Sequence, residues 1–254
     1  MVTLLNIGNT HTQIGKVVGA QVTLTRRLAT ADLVAGLLPE ELRRLQGPCL
    51  AACVVPTAVT SLRALAATRE VVFLTAAMVT EVDFGLVDAA TLGADRVANA
   101  VAAGARYAGP VIVLDCGTCI TTEALDAQKR FRGGAILPGR ALLRRALHEH
   151  TGQLPLVELC QECPTSLGTC TRAAILAGVD LGLLGAVERL LADSRERLEA
   201  PSCPVVAVGG DAAFFCRHLP ALTPGPELLT LHGLALVAAR RFVRAVSPSD
   251  PQAG

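Results

Sequence analysis

The sequence predicts an α/β protein made of two related halves, each with a mixed sheet, and three observations lead there. Short apolar runs alternate with helical patterns along all 254 residues, an order in which helices must cover the faces of sheets. One passage occurs twice. Val2 to Leu5 runs into Asn6-Ile7-Gly8-Asn9-Thr10, and Val111 to Leu114 runs into Asp115-Cys116-Gly117-Thr118; a further β-like segment follows each, at 12–18 and 120–125. A duplication of this kind predicts two halves that face each other across a cleft. The composition supplies the core: 51% of residues are hydrophobic and 18% charged, the balance of a chain with ample apolar surface to bury. Aromatic residues are only 3%, so the core is expected to be Ala, Val and Leu.

The elements follow in order. After the opening hairpin, 32–45 reads as a helix and 50–55 as a buried strand that Pro56 ends. Residues 57–67 are helical and 71–74 strand-like. The Ala- and Val-rich stretch 95–108 reads as a helix bridging the halves, which places the first half at 1–108 and the second at 109–247. In the second half, 166–191 reads as one long or broken helix. Residues 205–208 form a strand, Gly209-Gly210-Asp211 opens a short helix, and 231–246 is a closing helix. The Ser/Pro-rich tail at 248–254 is expected to be loose.

Several function classes are disfavoured. The formal net charge is +1, and the arginine pairs at 26–27, 43–44, 144–145 and 240–241 are scattered and not interleaved with aromatics. They read as solvated helix faces rather than a nucleic-acid footprint. Thr10, His11, Thr12 and Gln13 interrupt the N-terminus before a signal core forms, and the apolar stretch 173–187 carries Asp180 and three glycines. A cytoplasmic protein without a membrane segment is expected. Nine cysteines, an odd number spread over the chain, suit reduced thiols. The C-x-x-C pairs 116/119 and 160/163 are too far apart for a compact zinc ribbon. His148 and His150 lie two apart, on different faces of a helix, and read as surface or capping residues.

The two duplicated turns carry the chemistry. Gly8 and Gly117 allow a phosphate to approach the backbone, and Asn9, Thr10 and Thr118 supply donors for its oxygens. Asp115 is a hard oxygen ligand for a cation beside such phosphates. Gly209-Gly210 follows a strand and leaves room for a nucleoside. Together they suggest the binding of a triphosphate. No G-x-x-x-x-G-K-[ST] and no strand-borne G-x-G-x-x-G is present, so P-loop and Rossmann readings lack an anchor. Gly93-Ala94-Asp95-Arg96 begins a helix and has two readings: a helix cap, or a base (Asp95) beside a guanidinium that grips a carboxylate (Arg96).

The ordered set Asn6-x-Gly8-Asn9-Thr10, Gly93-Ala94-Asp95-Arg96, Asp115-x-Gly117-Thr118, Gly133-Gly134-x-Ile136-x-Pro138-Gly139 and Gly209-Gly210-Asp211-Ala212 resembles type III pantothenate kinases along essentially the whole chain. The resemblance implies the duplicated actin-like ATPase (ribonuclease H-like) fold, with mixed five-stranded sheets flanked by helices. It implies a homodimer that phosphorylates pantothenate with ATP, the first step toward coenzyme A, using Mg²⁺ and a monovalent cation, K⁺ or NH₄⁺. By position it assigns Asn6, Gly8, Asn9, Thr10, Thr118, Gly209 and Gly210 to ATP. Gly93, Ala94, Asp95, Arg96 and Thr171 go to pantothenate, Thr171 from across the dimer. Asp115 goes to the monovalent cation and Asp95 to the general base.

This chain departs from the pattern at three places. Asn6 stands where the family carries an aspartate expected to hold Mg²⁺, which weakens that site. Leu86 stands about where a tyrosine faces the substrate, and Glu123 replaces an aspartate at the end of the second loop. These departures keep two other readings open: a nucleotide- or ligand-binding relative without catalysis, and a kinase for another small hydroxy acid.

Overall fold

The computed structural model describes residues 1–18, 21–36, 42, 47–66 and 69–243. Two compact units interleave along the chain, one taking residues 1–80, 89–102 and 228–254 and the other 81–88 and 103–227. A divide at 108/109 follows chain order, whereas packing returns the closing helix to the first unit. The tail at 248–254 lies outside the described residues.

In the first unit, β1 (Val2–Ile7), β2 (His11–Val18) and β3 (Gln21–Ala29) form an antiparallel meander. β4 (Cys49–Cys53) and β5 (Val71–Phe73) extend it in parallel, giving the order β3-β2-β1-β4-β5. Central β1 and β4 are nearly continuous runs of buried Leu, Ile and Ala, as expected of strands covered on both faces. β3 alternates exposed and half-buried positions at the sheet edge, and that weak pattern hid it from the sequence reading. The helix expected over 32–45 is present as α1 (Thr30–Val34); most of its remainder falls on residues not described. α2 (Pro56–Ala66) follows. α3 (Ala94–Arg106) runs from one unit into the other.

In the second unit, β6 (Val111–Cys116) pairs antiparallel with β7 (Cys119–Leu125) and parallel with β10 (Val205–Val208), which pairs in parallel with β11 (Leu222–Pro224). β8 (Phe131–Gly133) and β9 (Ile136–Pro138) pair with opposite ends of β7. They occupy one strand position, broken where Gly133 takes φ +109°, a conformation suited to glycine. That break makes this sheet six-stranded among the described residues where five were expected, yet the strand pattern of the first sheet is repeated. Asn6 in β1 and Asp115 in β6 therefore hold equivalent places, each one residue from its strand's end.

The helices of the second unit are α4 (Arg140–Glu149), α5 (Thr171–Leu176), α6 (Gly182–Arg197) and α7 (Ala212–His218). The helix expected over 166–191 begins only at Thr171, and a π turn at Ala177–Leu181 interrupts it. The turn carries Asp180, which is fully buried and faces two arginines of α4. α8 (Leu229–Val243) closes the first unit, and the rest of the expected 231–246 lies outside the described residues. Among the described residues, no helix is long and apolar enough to cross a membrane.

α8 crosses α3 at a point of backbone contact. A Cβ placed on Gly233 would overlap the carbonyl of Ala98, and beside it Thr230 Oγ1 donates to Asn99 Oδ1 over 2.8 Å. Gly233→Ala is therefore expected to destabilise the fold by about 1–3 kcal/mol, read as a lowered midpoint in urea denaturation.

Candidate active site

The first turn is built at the end of β1. Asn6 sits opposite Gln13 of β2 and donates from Nδ2 to Gln13 Oε1 over 3.2 Å. The amide hydrogens are thus partly engaged, and the carboxamide oxygen is the atom left for a cation or phosphate-bound water. Gly8 N–H donates to the carbonyl of His11 at 3.1 Å, and Asn9, Thr10 and His11 are exposed. Two buried threonines hold this turn from behind. Thr30 Oγ1 donates to the Gly8 carbonyl at 2.7 Å and lies 2.9 Å from Thr12 Oγ1. Its one hydrogen is spent on Gly8, so Thr12 is the donor in the second bond. Thr30 N–H also donates to the Thr10 carbonyl at 2.9 Å. The sequence reading missed this role for both residues, because a lone threonine is ordinary in a strand or at a helix start and their partners are distant in sequence.

Asp95 belongs to the same unit. Its Oδ1 accepts the Arg96 N–H at 2.8 Å, so the carboxylate does cap the start of α3. Gly93 makes room for it: a Cβ there would stand 2.8 Å from Asp95 Oδ1 and 3.6 Å from Val54 Cγ1. Val54 in turn donates its N–H to the carbonyl of Ile7 at 3.1 Å. The structure thereby brings the 93–96 segment to the β4 end that adjoins the first turn. Burial pushes the Asp95 carboxyl above the ordinary carboxylate range, while the Arg96 N–H and guanidinium pull less strongly the other way. Such a group is a stronger base than a solvated aspartate.

In the second unit, Asp115, Gly117, Thr118 and Gly209 converge. Val208 is in register with Asp115, so Gly209 emerges beside the end of β6. Gly209 has φ +92°, and a Cβ there would lie 2.6 Å from both Asp115 Oδ1 and the Cys116 carbonyl; only glycine fits. Asp211 N–H donates to the Cys116 carbonyl at 3.0 Å, and Gly139 N–H donates to the Thr118 carbonyl at 2.9 Å. Asp115 and nearby backbone carbonyls are hard oxygen donors of the kind a monovalent cation takes. Cys116 is fully buried, and burial together with the carboxylates of Asp115 and Asp211 pushes its thiol up. It stays a neutral packing group. Among the described residues, no three His, Cys, Asp or Glu side chains gather as a metal site, and all nine cysteines are free.

Outside these turns, Thr171 is exposed at the start of α5, and Leu86 is 56% exposed. Arg144 corrects the sequence reading, and Arg140 is a residue it did not single out. The 144–145 pair was expected on a solvated face, but the Arg144 side chain is 1% exposed. Arg144 Nη2 lies 2.7 Å from both Asp180 oxygens, and Arg140, four residues earlier, shares the same carboxylate. Asp180 inside an apolar helix was the available signal, since a carboxylate buried there demands a cation.

A family model for type III pantothenate kinase matches residues 3–193. A type III pantothenate kinase of Roseiflexus castenholzii is 36% identical over 252 residues, covering 93% of this chain and 98% of its own. One from Rubrobacter xylanophilus is 35% identical over 268 residues, covering 96% of this chain and all of its own. A solved Baf family protein of Campylobacter jejuni superposes with a TM-score of 0.61 at 18% identity, over 94% of this chain and 98% of that one, a likeness of fold alone. The chain belongs to the type III pantothenate kinase family.

Proposed function

We propose that Asp95 is the general base of this chain's reaction, the ATP-dependent phosphorylation of pantothenate to 4'-phosphopantothenate at the head of coenzyme A synthesis. The observation that carries this role is a half-buried carboxylate, raised in pKa by desolvation, at a helix start beside the first turn. Asp95 takes the hydroxyl proton, the oxygen attacks the γ-phosphorus, the bond to the β-phosphate oxygen breaks, and ADP leaves. Phosphoryl transfer depends mostly on positioning and charge neutralisation, so the remaining residues orient the reactants. Gly93, Ala94 and Arg96 line the pantothenate site, with Arg96 gripping its carboxylate. Gly8, Asn9 and Thr10 hold ATP phosphates, as does Thr118 from the second turn, and Gly209 and Gly210 receive the nucleoside. Asp115 holds K⁺ or NH₄⁺, and Asn6 offers one neutral oxygen toward Mg²⁺, a weak hold. These cations, when bound, neutralise charge on the phosphates.

We further infer a homodimer in the cytoplasm, with Thr171 reaching the partner's pantothenate. Its support is the exposed Leu156, Leu159 and Leu167 on the segment that leads to Thr171. A substrate panel tests the whole reading. Pantothenate and other small hydroxy acids are incubated with ATP, Mg²⁺ and K⁺, and phosphorylated products are weighed by mass spectrometry. Pantothenate is expected to be the preferred acceptor; preference for another acid contradicts the substrate assignment.

A further inference from the structure

We propose that Arg140 is a positioning residue for the nucleotide, locking the two glycine turns of the second unit into one cradle. The proposal rests on the reading that those turns receive ATP. Gly117, Gly209 and Gly210 have no side chains, so the two turns meet through backbone, as in the Asp211 N–H bond to the Cys116 carbonyl at 3.0 Å. Arg140 is bonded to the neighbours of both. On one side it follows Gly139, whose N–H donates to the Thr118 carbonyl at 2.9 Å and which has no room for a Cβ against the carbonyls of Gly117 and Thr118. On the other side its Nη1 donates to Asp211 Oδ1 at 2.9 Å, and Asp211 follows Gly210 directly.

The guanidinium has little freedom to aim elsewhere. Its side chain is fully buried. Nε donates to Asp180 Oδ1 at 2.9 Å, and Nη2 donates to the Cys160 carbonyl at 2.7 Å and to Asp180 Oδ2 at 3.2 Å. Its Cζ stacks 3.4 Å from the ring centroid of Phe214 in α7, the helix that begins just after Asp211. A buried ion pair is a poor way to gain stability, since apolar residues of similar volume do as well or better. What planar, bidentate pairing supplies is direction. Here the bidentate pair with Asp180 fixes the guanidinium plane, and the fixed plane aims Nη1 at Asp211 beside the nucleoside turn.

The test uses the full chain with Asp211→Ala, Asp211→Asn and Arg140→Lys. Each is assayed by ADP titration calorimetry, by KM for ATP and for pantothenate, and by melting temperature. All three leave Asp180 paired with Arg144, so folding is expected to survive. Asp211→Ala is expected to weaken ADP binding about tenfold and to raise KM for ATP alike, with KM for pantothenate unchanged. Asp211→Asn keeps an acceptor oxygen and is expected to recover most of the loss. Arg140→Lys keeps the charge but loses the fork, and is expected to resemble Asp211→Ala. Native ADP affinity in Asp211→Ala overturns the proposal, as does a loss that falls equally on pantothenate and follows the melting temperature. A native chain that binds ADP without phosphorylating pantothenate defeats the functional reading alone, and the ADP titrations still decide the role of Arg140. A native chain that binds no ADP overturns both.

Discussion

Asp95→Asn is expected to lower kcat by roughly 10²–10⁴, the range a positioned general base supplies, while ADP binding stays close to native. Asparagine keeps an oxygen to cap α3 but cannot accept the hydroxyl proton. The same carboxylate makes a pH prediction. Its pKa is raised by burial, with the Arg96 N–H and charge pulling less strongly the other way, and it must be ionised to act. Activity is therefore expected to fall as pH drops through a value above the ordinary aspartate range. Stability runs in the opposite sense. A carboxyl whose folded pKa exceeds its unfolded value binds its proton more tightly when folded, so its ionisation costs stability as pH rises through that window. At neutral pH, Asp95→Asn is accordingly expected to melt no lower than the native chain, and slightly higher. A variant inactive because it is unfolded gives the reverse, and calorimetry beside the rate measurement separates the two.

Asn6→Asp is the second large effect. Asn6 offers one neutral oxygen, with its amide turned to Gln13 over 3.2 Å. A carboxylate there adds a full negative charge where a divalent ion must be held. Turnover at limiting Mg²⁺ is expected to rise by roughly 10²–10³, the worth of one preorganised electrostatic group. Titrating Mg²⁺ at saturating ATP checks this. The gain is expected to shrink as Mg²⁺ approaches saturation, whereas a gain independent of Mg²⁺ contradicts a metal-holding role for this position.

Much of the fold was legible because its signals are local. The apolar runs of β1, β6 and β10 are buried along their length, and the glycine turns after β1, β6 and β10 stand out from them. The repetition of Asn6-x-Gly8 and Asp115-x-Gly117 announced the duplicated sheet. The elements that escaped are those whose pattern is weak or whose meaning depends on distant partners. β3 is a polar edge strand, and β11 is three residues long. The arginine network was illegible for a similar reason. Arg140 and Arg144 look like ordinary helix-surface residues until α4 is seen against the π turn that carries Asp180, 40 and 36 positions away. Thr12 and Thr30 escaped likewise, since the bond that matters joins residues 18 apart. Asp95 was legible only as two alternatives. The structure shows that it caps the helix, and the buried surroundings that raise its pKa are a tertiary feature.

The measurement that bears most directly on the central claim is pantothenate-dependent ADP release by the native chain, followed in a coupled assay with ATP, Mg²⁺ and K⁺. The predicted result is turnover that requires pantothenate, saturates with it, and is lost on substituting Asp95 by Asn. ADP release absent from the native chain, or indifferent to pantothenate or to the Asp95→Asn change, contradicts the account.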